Sequence, residues 1–138
     1  MRRRILAVAA AACALPTVFA PAAPATPVLQ QPPYVDSVEW AKWGDLSSLR
    51  VYPTPAGRDT SARPGSSAAG EQAWVEVLAL SPEAEIPGMK EQFMCHWKIA
   101  EIFQPGKTSW NLEPWRPEVT PEVMMASGCN PGGTEEPF

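Results

Sequence analysis

Between Gln92 and Arg116 the chain collects side chains from which acid–base and anion-binding chemistry is built: Gln92, His96, Lys107, Asn111, Glu113 and Arg116. A histidine acting as base, with a lysine or arginine stabilising developing negative charge, is the machinery of many small hydrolases and ribonucleases. His96 is the single histidine of the chain. Histidine is the side-chain type that changes charge near neutral pH, so a pH optimum would trace to one residue. The candidate catalytic set is His96, Lys107, Glu113 and Arg116. The same residues also suit a scaffold, with His96 satisfied by a backbone carbonyl, Glu113 paired with Arg116, and Arg116 stacked on Trp110 or Trp115. A catalytic Cys95 is set aside, because it adjoins His96 and on a helix the two side chains diverge by about 100°.

The segment that must position Glu113 and Arg116 is Trp110-Asn111-Leu112-Glu113-Pro114-Trp115-Arg116-Pro117. Each proline fixes its own φ and pushes the preceding residue toward extended backbone, so the octapeptide is rigid. Six tryptophans stand at 40, 43, 74, 97, 110 and 115. Trp74 and Trp97 lie in patterned elements and are expected in the core. Trp43, Trp110 and Trp115 lie near turns, where an indole can stack on a sugar ring or a partner's apolar side chain or else cap the core from outside. Trp110, Asn111 and Trp115 are the candidate binding residues.

The N-terminus reads as an export signal: Arg2, Arg3 and Arg4, an apolar run from Ile5 to Leu15, then small residues. Pro16 interrupts the run well short of the about 20 apolar residues that a membrane span requires. Cys13 lies within this signal and is lost with it. Cleavage is expected after Ala22 or Ala25, with Ala25 preferred because no proline then adjoins the scissile bond, so residues 1–25 are the signal peptide. The remaining chain has eight basic and fifteen acidic residues, a net charge of −7. That balance argues against nucleic acid as a partner, since phosphate neutralisation needs a basic face. The expected location is outside the cell or in its envelope, and an envelope component or another protein is the expected partner class.

After export two cysteines remain, Cys95 and Cys129. An even pair in an exported protein most simply forms one disulfide. A zinc site on Cys95, His96 and Cys129 is the alternative, but it needs three or four converging ligands, and His96 is adjacent to one of the cysteines. Nothing in the chain calls for a cofactor.

Residues 26–33 form a proline-rich spacer, and the domain is expected over 34–131 with a flexible tail at 132–138. Val35 to Trp43 and Leu49 to Tyr52 alternate as short strands around a turn at Gly44-Asp45. The stretch 53–72, rich in Pro, Gly, Ser, Ala and Thr, shows no apolar face and predicts a long exposed loop. Ala73 to Leu80 predicts a central strand covered on both faces. Met89, Phe93, Trp97 and Ala100 recur at helical spacing, predicting a helix within Pro82–Phe103. Thr120-Pro121-Glu122 starts a short C-terminal helix that Gly128 ends. The expected fold is α+β: a small antiparallel sheet of three or four strands, packed by one longer helix and a short C-terminal helix, with one disulfide.

Gln92-Phe93-Met94-Cys95-His96, Lys107, the octapeptide and Cys129-Asn130-Pro131 together resemble a domain family of unknown function found in secreted actinobacterial proteins. The resemblance runs from Val38 to Pro131. It implies secretion, one compact domain and a paired Cys95 and Cys129, and it brings no established activity. The chain departs from the family pattern in a longer, charged stretch from Ile99 to Gly106. Two functions are therefore expected, and a purely structural envelope role is a third. The first is an extracellular or envelope interaction module that recognises its partner through Trp110–Pro117. The second is a small extracellular hydrolase or ribonuclease-like enzyme using His96 with Lys107, Glu113 and Arg116.

Overall fold

The computed structural model describes residues 19–24 and 30–133. The expected signal peptide lies outside the described residues except for 19–24, and the expected tail except for 132–133. Strands β1 (Val35–Trp43) and β2 (Leu46–Pro53) pair antiparallel, with Val38 opposite Val51 and Trp43 opposite Leu46. Gly44 makes the turn at φ +59°, a left-handed conformation that glycine adopts without a Cβ penalty. On the other side of β2 lies β3 (Trp110–Leu112), the start of the octapeptide, also antiparallel, with Leu49 opposite Leu112 and Val51 opposite Trp110. The sheet order is β1-β2-β3.

Two features differ from the sequence reading, both within 53–80. The expected exposed loop 53–72 is mostly helical, holding α1 (Pro55–Ser61) and the first turns of α2 (Ser67–Leu80). Thr54 caps α1, its hydroxyl accepting from the Gly57 amide at 3.0 Å, and Pro55 occupies the first helical position. No apolar stripe marks these turns because they pack through small residues. A Cβ on Gly57 would collide with the Tyr34 carbonyl, and one on Gly70 would lie 2.9 Å from the Trp97 ring. The expected central strand Ala73–Leu80 is the second half of α2. Its buried residues Gly70, Ala73, Trp74 and Val77 follow the 3.6-residue period, while Val75 and Leu80, one on each face of the supposed strand, are exposed.

The core lies between the sheet and helices α2 and α3 (Met89–Phe103). Phe93 is its centre: its ring centroid stands 5.6 Å from Trp74, 5.9 Å from Trp110 and 6.3 Å from Trp97, and Trp97 meets Trp110 edge-on at 6.1 Å. Such tilted and edge-on pairs suit the aromatic quadrupole. A short 3₁₀ turn, Pro82–Ala84, joins α2 to the approach to α3. Helix α4 (Pro121–Ala126) starts on the Thr120 cap, as its sequence predicts. The disulfide Cys95–Cys129 ties its exit to the middle of α3, with Cα atoms 5.6 Å apart. Beside it Met124, Ile99 and Val119 make a second small core. Closing this loop of 34 residues stabilises the fold by about 3–4 kcal/mol in the chain-entropy model. The architecture is the expected α+β class, with three strands, and α2 nearly matches α3 in length.

Candidate functional site

The octapeptide turns its polar groups inward. Glu113 is fully buried and Arg116 almost so. Arg116 Nε donates to Glu113 Oε2 at 2.6 Å, while the Ser48 hydroxyl donates to Oε1 at 2.9 Å. The backbone of Glu113 is held from α3: its amide donates to Gln92 Oε1 and its carbonyl accepts from Gln92 Nε2, both at 2.9 Å. Arg116 also donates through one terminal nitrogen to the carbonyls of Pro131 and Gly133, each at 3.2 Å, and its guanidinium lies 4.6 Å above the Trp115 ring. Trp115 in turn donates its indole N–H to the Ser47 carbonyl. The segment is thus a clasp that joins β2, α3 and the residues after α4. Pro131 is buried, and Gly133, within the stretch expected as a tail, is held by Arg116 through its carbonyl.

This burial corrects the expected recognition surface. Trp110 has no exposed area and sits in the aromatic core, and Asn111 is buried with its side-chain oxygen accepting from the Ser109 hydroxyl at 2.7 Å. Neither offers a face to a partner. Trp115 is half-buried, with its ring occupied by Arg116.

His96 and Lys107 lie elsewhere. Together with Ile99, Phe103, Met125 and Asn130 they line a cleft of about 280 Å³ between the C-terminal half of α3 and α4, and neither Glu113 nor Arg116 lines it. The four catalytic candidates therefore fall into two groups, an internal ion pair and two residues at an open cleft. His96 Nδ1 lies 2.9 Å from the Gln92 carbonyl. A carbonyl only accepts, so Nδ1 carries the proton there and Nε2 is the basic nitrogen of the neutral ring. The backbone around Lys107 is fixed from α1. Arg58 donates to the Lys107 carbonyl at 2.6 Å and pairs with Glu101, whose other oxygen accepts from the Gly106 amide. Arg58 belonged to the stretch that read as loop.

Phe103 and Met125, which the sequence reading did not single out, are the accessible apolar walls of the cleft, 75% and 44% exposed. For Phe103 a signal was present: His96, Ile99 and Phe103 recur at helical spacing on a face of α3 separate from the core stripe. Among the described residues no three His, Cys, Asp or Glu side chains converge as metal ligands, and no helix is long and apolar enough to cross a membrane.

The fold and its clasp define a small α+β domain stapled by one disulfide. The chain belongs to the family described as protein of unknown function (DUF2599), whose model matches residues 35–132. Uncharacterized proteins of Mycobacterium bovis and Mycobacterium tuberculosis are each 64% identical to it over 107 residues, spanning 78% of this chain and 72% of theirs. An uncharacterized protein of Mycobacterium leprae is 48% identical over 103 residues, spanning 75% and 83%. No solved structure gives a significant match. The resemblance carried by the octapeptide and the cysteines is that of an actinobacterial domain of unknown function, and the family match agrees with it.

Proposed function

We propose that the chain is an exported, disulfide-stapled binding module, acting outside the cell or in its envelope, with the cleft between α3 and α4 as its contact surface. One observation carries this reading. The groups best suited to chemistry, Glu113, Arg116 and Gln92, are consumed by one another inside the fold, whereas the open concave surface is walled by Ile99, Phe103 and Met125. Concave, mostly apolar surfaces with few polar groups are where ligands and partners bind. Export is supported by the basic and apolar N-terminal pattern and by a disulfide, which persists in oxidising compartments.

The test uses the chain expressed in an actinobacterial host. Recovery from the medium or envelope with an N-terminus near Thr26 supports export, and recovery from the cytosol with Met1 or Met-less Arg2 at the N-terminus overturns it. Cross-linking with the envelope fraction then compares the wild type with a Phe103→Ser, Met125→Ser variant. These side chains are exposed, so the melting curve should hold while the cross-linked partner is lost. A partner retained in full places the contact surface elsewhere.

A second reading is favoured by the shared placement of His96 and Lys107 at the cleft. It is a hydrolase in which the His96 ring is the base and Lys107 the cation, without help from Glu113 or Arg116. His96→Ala should then abolish turnover of a screened ester or phosphodiester. A folded variant with unchanged turnover ends this reading.

A further inference from the structure

Beyond the cleft, and resting on the reading of an exported module, we propose that the end of α3 is a lipid-contact tip. Ile102 and Phe103 enter the headgroup region of an anionic phospholipid bilayer, and Lys98 meets the lipid phosphates.

Ile102, Phe103, Gln104, Pro105 and Gly106 are five exposed residues in a row, and none carries a charge. Ile102 is 62% exposed and Phe103 75%. The core stripe of α3 ends at Ala100, so the packing of the helix makes no use of them. Single apolar side chains are ordinary on a surface, whereas two adjoining ones at an uncharged tip mark a contact with a partner or a membrane.

The backbone decides between those two. A segment that enters lipid meets little water, so each of its amides must already have an acceptor. Here each does. The amides of Ile102 and Phe103 lie within α3, Gln104 donates to the Ala100 carbonyl at 2.8 Å, Gly106 donates to Glu101 Oε2 at 2.9 Å, and Lys107 donates to the Gln104 carbonyl at 3.1 Å. Pro105 has no N–H to satisfy. A protein partner could supply acceptors of its own and imposes no such rule. Glu101, the acid of the last turn, is half-withdrawn from solvent and neutralised by Arg58.

Charge complements the same surface. Lys98 is exposed, stands four residues before Ile102 on the same side of the helix, and lines one hollow with it. A lysine so placed lays its stem along apolar surface and carries its ammonium to headgroup level. The chain as a whole is acidic, with a formal net charge of −4. Yet Glu85, Glu91 and Glu118 line a hollow at the start of α3, beside Gly88. The length of that helix sets them about 20 Å from the tip, roughly two Debye lengths at physiological salt. Their repulsion is screened where the lipid would lie.

The oxidised chain, as its host delivers it, is sedimented with vesicles of phosphatidylcholine alone and with added phosphatidylglycerol. Binding to the mixed vesicles should be the stronger, and Lys98→Gln should weaken it by about fivefold there, the share of one basic side chain near an anionic surface. Ile102→Ser and Phe103→Ser should each weaken binding by about tenfold or more, at unchanged melting temperature. Spin-labelled lipid in bicelles of the same mixture should broaden the amides of Phe103, Gln104 and Gly106 and spare Gly88, at the other end of the helix. Vesicles left unbound, serine variants that bind like the wild type, or broadening that avoids the tip each overturn the proposal. Self-association that Phe103→Ser removes, with vesicles unbound, assigns the tip to a second copy and overturns it as well. If vesicles are ignored while the Phe103→Ser, Met125→Ser variant still loses its envelope partner, the lipid is wrong and the binding-module reading survives. Ile102 lies outside the cleft, so an Ile102→Ser variant that releases vesicles and keeps the cross-linked partner separates tip from cleft and supports the proposal. If the double variant keeps its partner while the tip amides still broaden, the cleft reading fails and the tip stands.

Discussion

Gln92 and Glu113 close a reciprocal pair of hydrogen bonds: the side-chain amide of one satisfies both the backbone N–H and the backbone C=O of the other, at 2.9 Å each. Glu113 follows the last residue of β3, so its backbone has lost its strand neighbours, and Gln92 replaces them from α3. A buried peptide group must find such partners or carry the cost of desolvation.

Gln92→Leu keeps the volume and removes both partners. Two orphaned backbone groups at about 1–3 kcal/mol each predict a loss of roughly 2–6 kcal/mol, measured as a fall in the urea midpoint. Gln92→Glu should be nearly as damaging, because a carboxylate cannot donate to the Glu113 carbonyl. A midpoint near the wild type for either variant would show that water replaces Gln92.

The Glu113–Arg116 pair predicts strong non-additivity. Removing one member of a buried pair leaves an uncompensated charge and costs about 3–5 kcal/mol, so Glu113→Gln and Arg116→Met should each destabilise by that order. The double variant should cost much less than their sum, because no lone charge remains. Additive losses in a double-mutant cycle would mean that the two side chains act independently.

Gly57 is predicted to tolerate no side chain. In Gly57→Ala the new methyl meets the Tyr34 carbonyl, a backbone atom that cannot rotate away. Overpacking of this kind costs about 1–3 kcal/mol, which outweighs the usual gain of alanine over glycine in a helix. The check is the melting temperature of Gly57→Ala against Asp59→Ala, an exposed control on the same helix.

Acid is predicted to loosen α4. The Glu122 carboxylate, on the exposed first turn, is stabilised by its own backbone amide and by the Thr120 hydroxyl, which hold its pKa below the ordinary 4.5. A depressed folded pKa gives stability that is present above the unfolded value and lost as pH falls through the folded one. Amide exchange at Met124 and Ser127 should therefore quicken, relative to the intrinsic rate, as pH drops below about 4.5. Glu122→Gln should flatten that dependence, and an unchanged slope in this variant would assign it to another carboxylate.

The sequence alone was enough wherever a local rule has a local cause. Thr120-Pro121-Glu122 starts a helix because a hydroxyl cap, a fixed φ and an acid in the first turn all act within four residues, and Met89, Phe93, Trp97 and Ala100 face one way because the helix period requires it. The hairpin around Gly44-Asp45 was legible for the same kind of reason, whereas the pairing of Cys95 with Cys129, 34 residues apart, was legible by counting, since two cysteines allow one bridge. The same cap signal stands at Thr54-Pro55, yet a composition of small residues hid it, since Gly57 and Gly70 take part in packing by letting a carbonyl and an indole come close rather than by being apolar. Ala73–Leu80 fits both a period of two and a period of 3.6, and only its burial against α3 chooses between them.

The candidate site divides along the same line. Residue types identified Glu113, Arg116, His96 and Lys107 as capable of chemistry, and the prolines marked their segment as rigid. Whether a carboxylate faces solvent or a buried guanidinium depends on what the rest of the chain brings to it: Ser48 from β2, Gln92 from α3, and the carbonyls of Pro131 and Gly133 after α4. Those partners are 15 to 65 residues away in sequence. Only tertiary packing sets such distances, which is why it placed the ion pair inside and left His96 and Lys107 at the cleft.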